Sequence, residues 1–433
     1  MKIKILIIAL LLFLGVYGSI HVQSVNQGVI DDYNNFLKLA RQYAEDNLPY
    51  VSKGYYLQAM AINSNDSEVY KEYISQLDKL SGMSKAAAWR GFIERYPKEQ
   101  EGYDKLGEIY YNSQDNTNLY NLILEADKKG MLTEKLYGYY DVLYYKYVWR
   151  YNNLKSAGTY ISNYAIIENS TGYNYLFGTS LLLEDNLEYM GEYGVNGWIP
   201  AKKDGEFVYI DMTGNIVARL KESVTYLGTY TSTGALVGID GKYGYMDADF
   251  KMPDQLEYEA ATNITNGVGA VKKDGKWALI NENRELITEH IYEDIKISEN
   301  NICIQNGVVF AKRENKYIML NSLGNQIGEL EFEDACMFNG NEPAAVKING
   351  KWGFVNADGT MSYEAQYQEA KSFGLGMAPV FDGLNWGYVA EREGNLEYVI
   401  KAEFDDCKPF TDNGYAAVKQ GDLWGYIQLF IYQ

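Results

Sequence analysis

Gly350-Lys351-Trp352-Gly353-Phe354-Val355 sets a polar turn directly before a large aromatic and a run of β-forming residues. The same phrase recurs as EFVYI around Phe207, KYGYM around Tyr243, KWALI around Trp277, KYIML around Tyr317, NWGYV around Trp386 and LWGYI around Trp424. In chain order the seven anchors stand 36, 34, 40, 35, 34 and 38 residues apart. A nearly fixed period means a repeat array rather than one conventional core.

Other residues keep time with the anchor. Fifteen positions later a second aromatic stands beside an acid or amide: Tyr258-Glu259, Tyr292-Glu293-Asp294, Phe332-Glu333-Asp334 and Tyr367-Gln368-Glu369. After Trp386 the pair comes at eighteen, as Phe404-Asp405-Asp406. Small and β-branched residues precede the turn, as in Ala344-Ala345-Val346-Lys347. Each unit reads as about four short strands joined by turns, and one such sheet cannot bury both faces alone. Radial stacking gives a β-propeller of about seven short blades, with an open β-repeat stack as the alternative. The last copy supplies about three strands before Gln433, and Leu187-Glu188-Tyr189-Met190-Gly191-Glu192-Tyr193 precedes the first copy. Pairing that segment with the C-terminal strands is expected to close the ring and hide two edges.

With its Trp352-Gly353, Trp386-Gly387 and Trp424-Gly425 pairs and the Tyr variant Tyr243-Gly244, the array over roughly 196–433 resembles the bacterial WG-repeat family. Copies at Phe207, Trp277 and Tyr317 lack the glycine. The resemblance implies a repeat scaffold for binding and no chemistry. The seven anchors are read as structural: each aromatic removes roughly 150–250 Å² from water, and the glycine lets the adjacent sheet approach. The functional alternative is a ring of aromatic faces reading a glycan or peptide.

The N-terminal half keeps a different period. Phe36, Tyr70, Tyr103 and Tyr137 are 34, 33 and 34 residues apart, and each opens a helical pattern. Residues 31–165 resemble about four tetratricopeptide repeats, an α-helical solenoid, with 166–186 a connector and 187–433 the propeller. A helix is expected from Tyr137 to Tyr151, aromatic on more than one face and so buried on more than one side. Its Tyr139, Tyr145 and Trp149 are a candidate binding surface for sugar or peptide.

In residues 1–24, Lys2 and Lys4 precede an apolar run from Ile5 to about Ile20, which reads as an uncleaved signal anchor with the bulk of the chain outside the cytoplasm. Secretion after cleavage is the alternative. Lys plus Arg is 39 against 58 Asp plus Glu, a net charge of −19 that repels nucleic acid. Cys303, Cys336 and Cys407 lie in three different copies and read as small buried hydrophobes rather than disulfide partners.

No metal spacing, nucleophile elbow or phosphate loop is present in the sequence, and neither His21 nor His290 has a partner pattern. No cofactor, metal or catalytic residue is assigned. The recurring acids Glu293-Asp294, Glu333-Asp334 and Asp405-Asp406 read as scaffold because they repeat, with Lys242, Lys276, Lys316 and Lys351 as partners; binding of a cation or cationic polymer is the alternative. Asp211-Met212-Thr213-Gly214-Asn215 and Asn356-Ala357-Asp358-Gly359 are read as hairpin turns rather than calcium loops. The expected function is a non-enzymatic, extracytoplasmic scaffold for protein or cell-wall partners. The alternative is an envelope glycan hydrolase using a carboxylate pair in the propeller's funnel.

Overall fold

The computed structural model describes residues 26–80, 84–161, 163–220 and 224–432. The chain divides into two compact units, Met1–Tyr144 and Tyr145–Gln433. The signal-anchor segment falls outside the described residues. Among the described residues no helix is long and apolar enough to cross a membrane.

The first unit is helical: α1 (26–45), α2 (Pro49–Ile62), α3 (Ser67–Leu77), α4 (Lys85–Arg95), α5 (Gln100–Asn112), α6 (Asn116–Lys128) and α7 (Glu134–Tyr144). Four starts are fixed by side-chain caps, Asp66 on the Val69 N–H, Ser84 on Ala87, Asp115 on Asn118 and Thr133 on Leu136. The period is visible in the packing. Tyr103 is fully buried, and Tyr70 makes edge contacts with Tyr73, Phe92 and Tyr96 at 5.7–5.9 Å. Tyr137 breaks the pattern at 61% exposure. The predicted helix to Tyr151 is corrected, because α7 stops at Tyr144 and Tyr147–Leu154 is a strand. Tyr, Val and Trp suit a strand as well as a helix, and an open sheet edge decides between them.

That edge belongs to the second unit, whose sheets form eight blades. Blade 1 is Ser156–Ala157, Tyr164–Glu168, Tyr173–Phe177 and Ser180–Leu181. Blades 2 to 8 begin with Tyr189–Met190, Tyr226–Leu227, Ala260–Ala261, Asp294–Ile295, Asp334–Ala335, Glu369–Ala370 and Asp406–Cys407. The count is eight rather than seven because residues 156–181 supply a blade of their own. Nor does the segment at 187–193 close the ring; its Tyr189–Met190 is the innermost strand of blade 2. Closure comes from Tyr147–Leu154, antiparallel to Leu423–Leu429 with Tyr147 opposite Leu429 and Leu154 opposite Trp424. The sheet thus joins the two ends of the unit and buries an edge that would otherwise template aggregation.

The fifteen-residue spacing is a strand register. Tyr243 lies opposite Tyr258, Trp277 opposite Tyr292, Tyr317 opposite Phe332, Trp352 opposite Tyr367 and Trp386 opposite Phe404. Between Trp352 and Phe354 the partner runs from Tyr367 to Tyr363, so a bulge forms there. A Cβ on Gly353 would sit 2.6 Å from Ala365 N, and one on Gly387 2.6 Å from Ala402 N. The glycine therefore admits the bulged outer strand of its own sheet, not the adjacent sheet expected from sequence. Trp277, Tyr317, Trp352 and Trp386 are buried, whereas Phe207, Tyr243 and Trp424 are partly exposed.

Candidate functional site: the propeller channel

The recurring acids build the blades. The polar turn has two central residues with positive φ, for example Asp274 at 51° and Gly275 at 76°, a hairpin geometry that leaves a backbone N–H pointing outward. The acid beside the innermost strand accepts that N–H: Glu188 from Gly205 at 2.7 Å, Glu259 from Gly275 at 3.1 Å, Glu293 from Asn315 at 3.1 Å, Glu333 from Gly350 at 2.9 Å and Asp405 from Gly421 at 2.6 Å. Lys276 and Lys316 approach Glu293 and Glu333 at 4.0 and 3.7 Å. The next acids bind differently. Asp294 accepts from Tyr317 Oη at 2.5 Å, while Asp334 pairs with Lys296 at 2.6 Å and Asp406 with Lys371. His290 Nδ1 lies 3.2 Å from the Lys276 carbonyl. Asp211 Oδ1 receives the Thr213 N–H and hydroxyl and the Asn215 N–H, so its turn is capped from within.

A second repeating device joins the blades. Two residues after the anchor, or in blade 1 after Tyr173, which starts the corresponding strand, a tyrosine hydroxyl donates to the carbonyl just beyond the next blade's innermost strand. Tyr175 reaches Gly191 at 2.6 Å, Tyr209 Gly228 at 2.9 Å, Tyr245 Thr262 at 2.8 Å, Tyr388 Lys408 at 2.8 Å and Tyr426 Gly158 at 2.6 Å. Burial pushes all five phenols far above their ordinary range, which keeps them neutral donors. Leu279, Met319 and Phe354 take this place at the other three junctions and are buried.

Against this regular frame the channel is asymmetric. Directly after the innermost strand, blades 1 to 4 carry Gly158, Gly191, Gly228 and Thr262, while blades 5, 7 and 8 carry Lys296, Lys371 and Lys408. Those lysines lie over Tyr317, Trp386 and Trp424 at 4.5, 4.7 and 5.8 Å on their side of the channel, and Lys408 reaches the wall of the cavity opposite. Small residues leave the other side open as a cavity of about 580 Å³. Along its wall the rings of Tyr173, Tyr189, Tyr226 and Tyr243 form an arc, with successive centroids 6.4, 6.5 and 5.8 Å apart.

One loop crosses the channel. In blade 5 the residues after Ile295 turn inward, with Ser298 N–H bonded to the Ile302 carbonyl at 2.9 Å. Asn263 of blade 4 donates its N–H to the Asn301 carbonyl at 2.8 Å, and Asn301 Nδ2 donates to Tyr226 Oη at 3.0 Å. Glu299 accepts the Thr159 N–H of blade 1 at 2.6 Å and pairs with Lys408 of blade 8. Burial works to raise its pKa, yet Lys408 and Thr159 hold this carboxyl below its usual range. The loop separates the aromatic chamber from a second cavity of about 690 Å³ that Glu299 and Asn300 also line.

Glu192 of blade 2 faces the same chamber. Burial pushes its carboxyl up to about 7; the Tyr164 hydroxyl at 3.3 Å opposes the rise and the Glu299 charge adds to it. Two carboxylates from different blades thus meet, neither of them among the acids singled out by sequence. Glu192 had a signal: of Thr159, Glu192, Thr229, Asn263, Ile297, Met337, Ser372 and Pro409, the residues at one repeat position, it alone is acidic.

The sequence-predicted surface is not one stripe. Tyr139 stacks on Tyr111 at 4.4 Å in the helical unit, Tyr145 lies beneath Arg392 at 4.9 Å, and Trp149 is in the closing strand, 41% exposed. Cys303 and Cys407 are fully buried and Cys336 partly so. Burial raises these thiols to about 11, 12 and 11 respectively.

No curated protein matches the chain. Among solved structures, a eukaryotic initiation factor is similar at TM-score 0.41 and 12% identity over 61% of this chain and 81% of that one. Apo AztD from Citrobacter koseri gives 0.38 and 11% over 58% and 86%. Porphyromonas gingivalis dipeptidyl peptidase 4 gives 0.42 and 9% over 61% and 56%. Likeness of this size assigns no activity. The family described as WG containing repeat matches at residues 243–277, 352–383 and 386–424. In those three C-terminal copies the chain carries WG repeats.

Proposed function

We propose that this protein is a non-enzymatic binding scaffold, anchored at the membrane with its bulk outside the cytoplasm, whose helical unit and propeller present surfaces to protein or cell-wall partners. The observation that carries this reading is the use of the repeating groups. The acids that recur cap turns or pair with lysines, and the tyrosines that recur latch blades, so the repeats are spent on a rigid frame of the kind that displays loops. The 33–34-residue period of the helical unit supports a tetratricopeptide-like solenoid as its finer description. Lys2 and Lys4 before the apolar run support the orientation.

Purified full-length protein should bind a wall fraction or an envelope protein saturably and leave it chemically intact. Release of sugar or peptide fragments, lost on one carboxylate substitution, overturns the proposal. A glycan hydrolase is the second reading, favoured by the meeting of Glu192 and Glu299, since a neutral acid beside an ionised one is a common acid–base arrangement. Against it, the Glu299 oxygens already serve Thr159 and Lys408. Glycan turnover abolished in Glu192→Gln would establish this alternative.

A further inference from the structure

The chamber beside the blade 5 loop has a composition that the scaffold reading does not use. Its wall is an arc of four tyrosine rings, whose faces are electronegative. Two carboxylates enter it, and Lys408 neutralises only Glu299. Among the described residues no lysine or arginine is paired with Glu192, whose carboxylate accepts one hydrogen bond, the long contact from Tyr164. Asn263 also lines the chamber, and its side-chain oxygen is buried without a donor. The unmatched groups are therefore acceptors and negative faces, so the ligand that completes them is a cation carrying N–H donors. The volume suits a small molecule.

We infer that the chamber between blades 1 to 4 and the Ile297–Asn301 loop binds an organic ammonium ion, a primary amine or polyamine, with its charge against Glu192 and its methylenes along the tyrosine arc. This goes beyond the scaffold proposal and stands or falls independently of any partner of the outer surfaces. A neutral sugar would supply no charge to favour the ionised form of Glu192, and an anion would oppose that ionisation and be repelled by Glu299. Cation–π contact with tyrosine favours an alkylammonium ion over a bare metal ion, because the methylenes also need an apolar wall. The groups around Glu192 are Tyr164, Tyr175, Tyr189, Tyr193 and Glu299, none of them cationic, and the lysine that lines the chamber, Lys408, is paired with Glu299. The ligand's charge therefore favours the ionised form of Glu192, and binding below neutral pH releases a proton.

The test is titration of the full-length protein with spermidine by calorimetry, with N-acetylglucosamine as the neutral comparator. Saturable 1:1 binding of spermidine is expected, weakened at least tenfold in Glu192→Gln. Affinity should fall about tenfold per pH unit below the Glu192 pKa and level off above it. Glu259→Gln removes the same charge from a surface turn and should leave affinity within twofold, which separates chamber binding from attraction to an acidic protein. Thermal unfolding and a circular dichroism spectrum establish that each variant is folded. Tyr226→Leu, which keeps bulk and removes the ring, should weaken spermidine several-fold. The inference is overturned by absence of saturable spermidine binding, by equal weakening in Glu192→Gln and Glu259→Gln, or by tighter binding of N-acetylglucosamine than of spermidine.

Discussion

Blade junctions 7–8, 8–1, 1–2, 2–3 and 3–4 are latched by a tyrosine hydroxyl on a backbone carbonyl, while junctions 4–5, 5–6 and 6–7 place Leu279, Met319 and Phe354 at the same point. The crossing loop rises from blade 5, within the unlatched arc, and the aromatic chamber lies against the latched one. A buried tyrosine fixes a distance and an angle that an aliphatic side chain does not. The contrast teaches that one wall of the channel is held in register by directed bonds, joined at junction 7–8 by the Lys371–Asp406 pair, and the other by packing and by the Lys296–Asp334 pair at junction 5–6.

Removing Tyr147–Leu154 should have the largest effect, since it opens the sheet that closes both arcs. Loss of a single cooperative transition in thermal unfolding is the expected result; an unchanged transition would mean that the ring does not depend on closure. Next comes the pH response of Glu192. Its folded carboxyl titrates near 7 against an ordinary 4.5, so the folded state holds its proton to higher pH than the unfolded chain. Its contribution is present in full below about pH 4.5 and is lost as pH rises towards 7, a fall of about 2–3 kcal/mol. Denaturant titrations at pH 4.5 and 7.5 should show this fall in the native protein and not in Glu192→Gln.

Smaller effects bear on the latches directly. Tyr245→Phe and Tyr426→Phe should each cost about 1–2 kcal/mol, because a buried carbonyl loses its donor. Met319→Leu, at an apolar junction, should cost less than about 1.5 kcal/mol by its repacking alone. Equal losses in urea unfolding would erase the distinction between the arcs. The smallest effect is expected for Glu259→Ala, which frees one N–H in an exposed turn and should cost about 0.5–1 kcal/mol.

The sequence showed the blades wherever the anchor kept its pattern, because the anchor and the second aromatic, fifteen residues on or eighteen after Trp386, are partners across a ladder. It hid blade 1 although Tyr173 stands 34 residues before Phe207. Asn174 occupies the glycine position there, and its buried amide bonds both the N–H and the carbonyl of Leu183, at 3.1 and 3.0 Å. A side chain thus replaces a backbone feature and the motif disappears. The crossing loop was also legible: from Tyr292 to Tyr317 is 25 residues, against 19 or 20 from the second aromatic to the next anchor in the other copies after Tyr243. That surplus makes the 40-residue interval and is the inserted loop. What no spacing could show is that Glu299 reaches Thr159 and Lys408, contacts made only when distant blades are brought round a ring. The Tyr137–Tyr151 stretch misled for a related reason, since its final strand exists only once Leu423–Leu429 offers it an edge.

The central claim is that repeating groups build the frame and non-repeating groups build the site. Spermidine affinity and thermal midpoint, measured together on Glu192→Gln and Glu259→Ala, test it most directly. The account predicts that Glu192→Gln loses binding while its midpoint at pH 7.5 holds or rises, and that Glu259→Ala loses a little stability and keeps its binding. The reverse pattern, with binding lost at Glu259 and stability lost at Glu192, would contradict it.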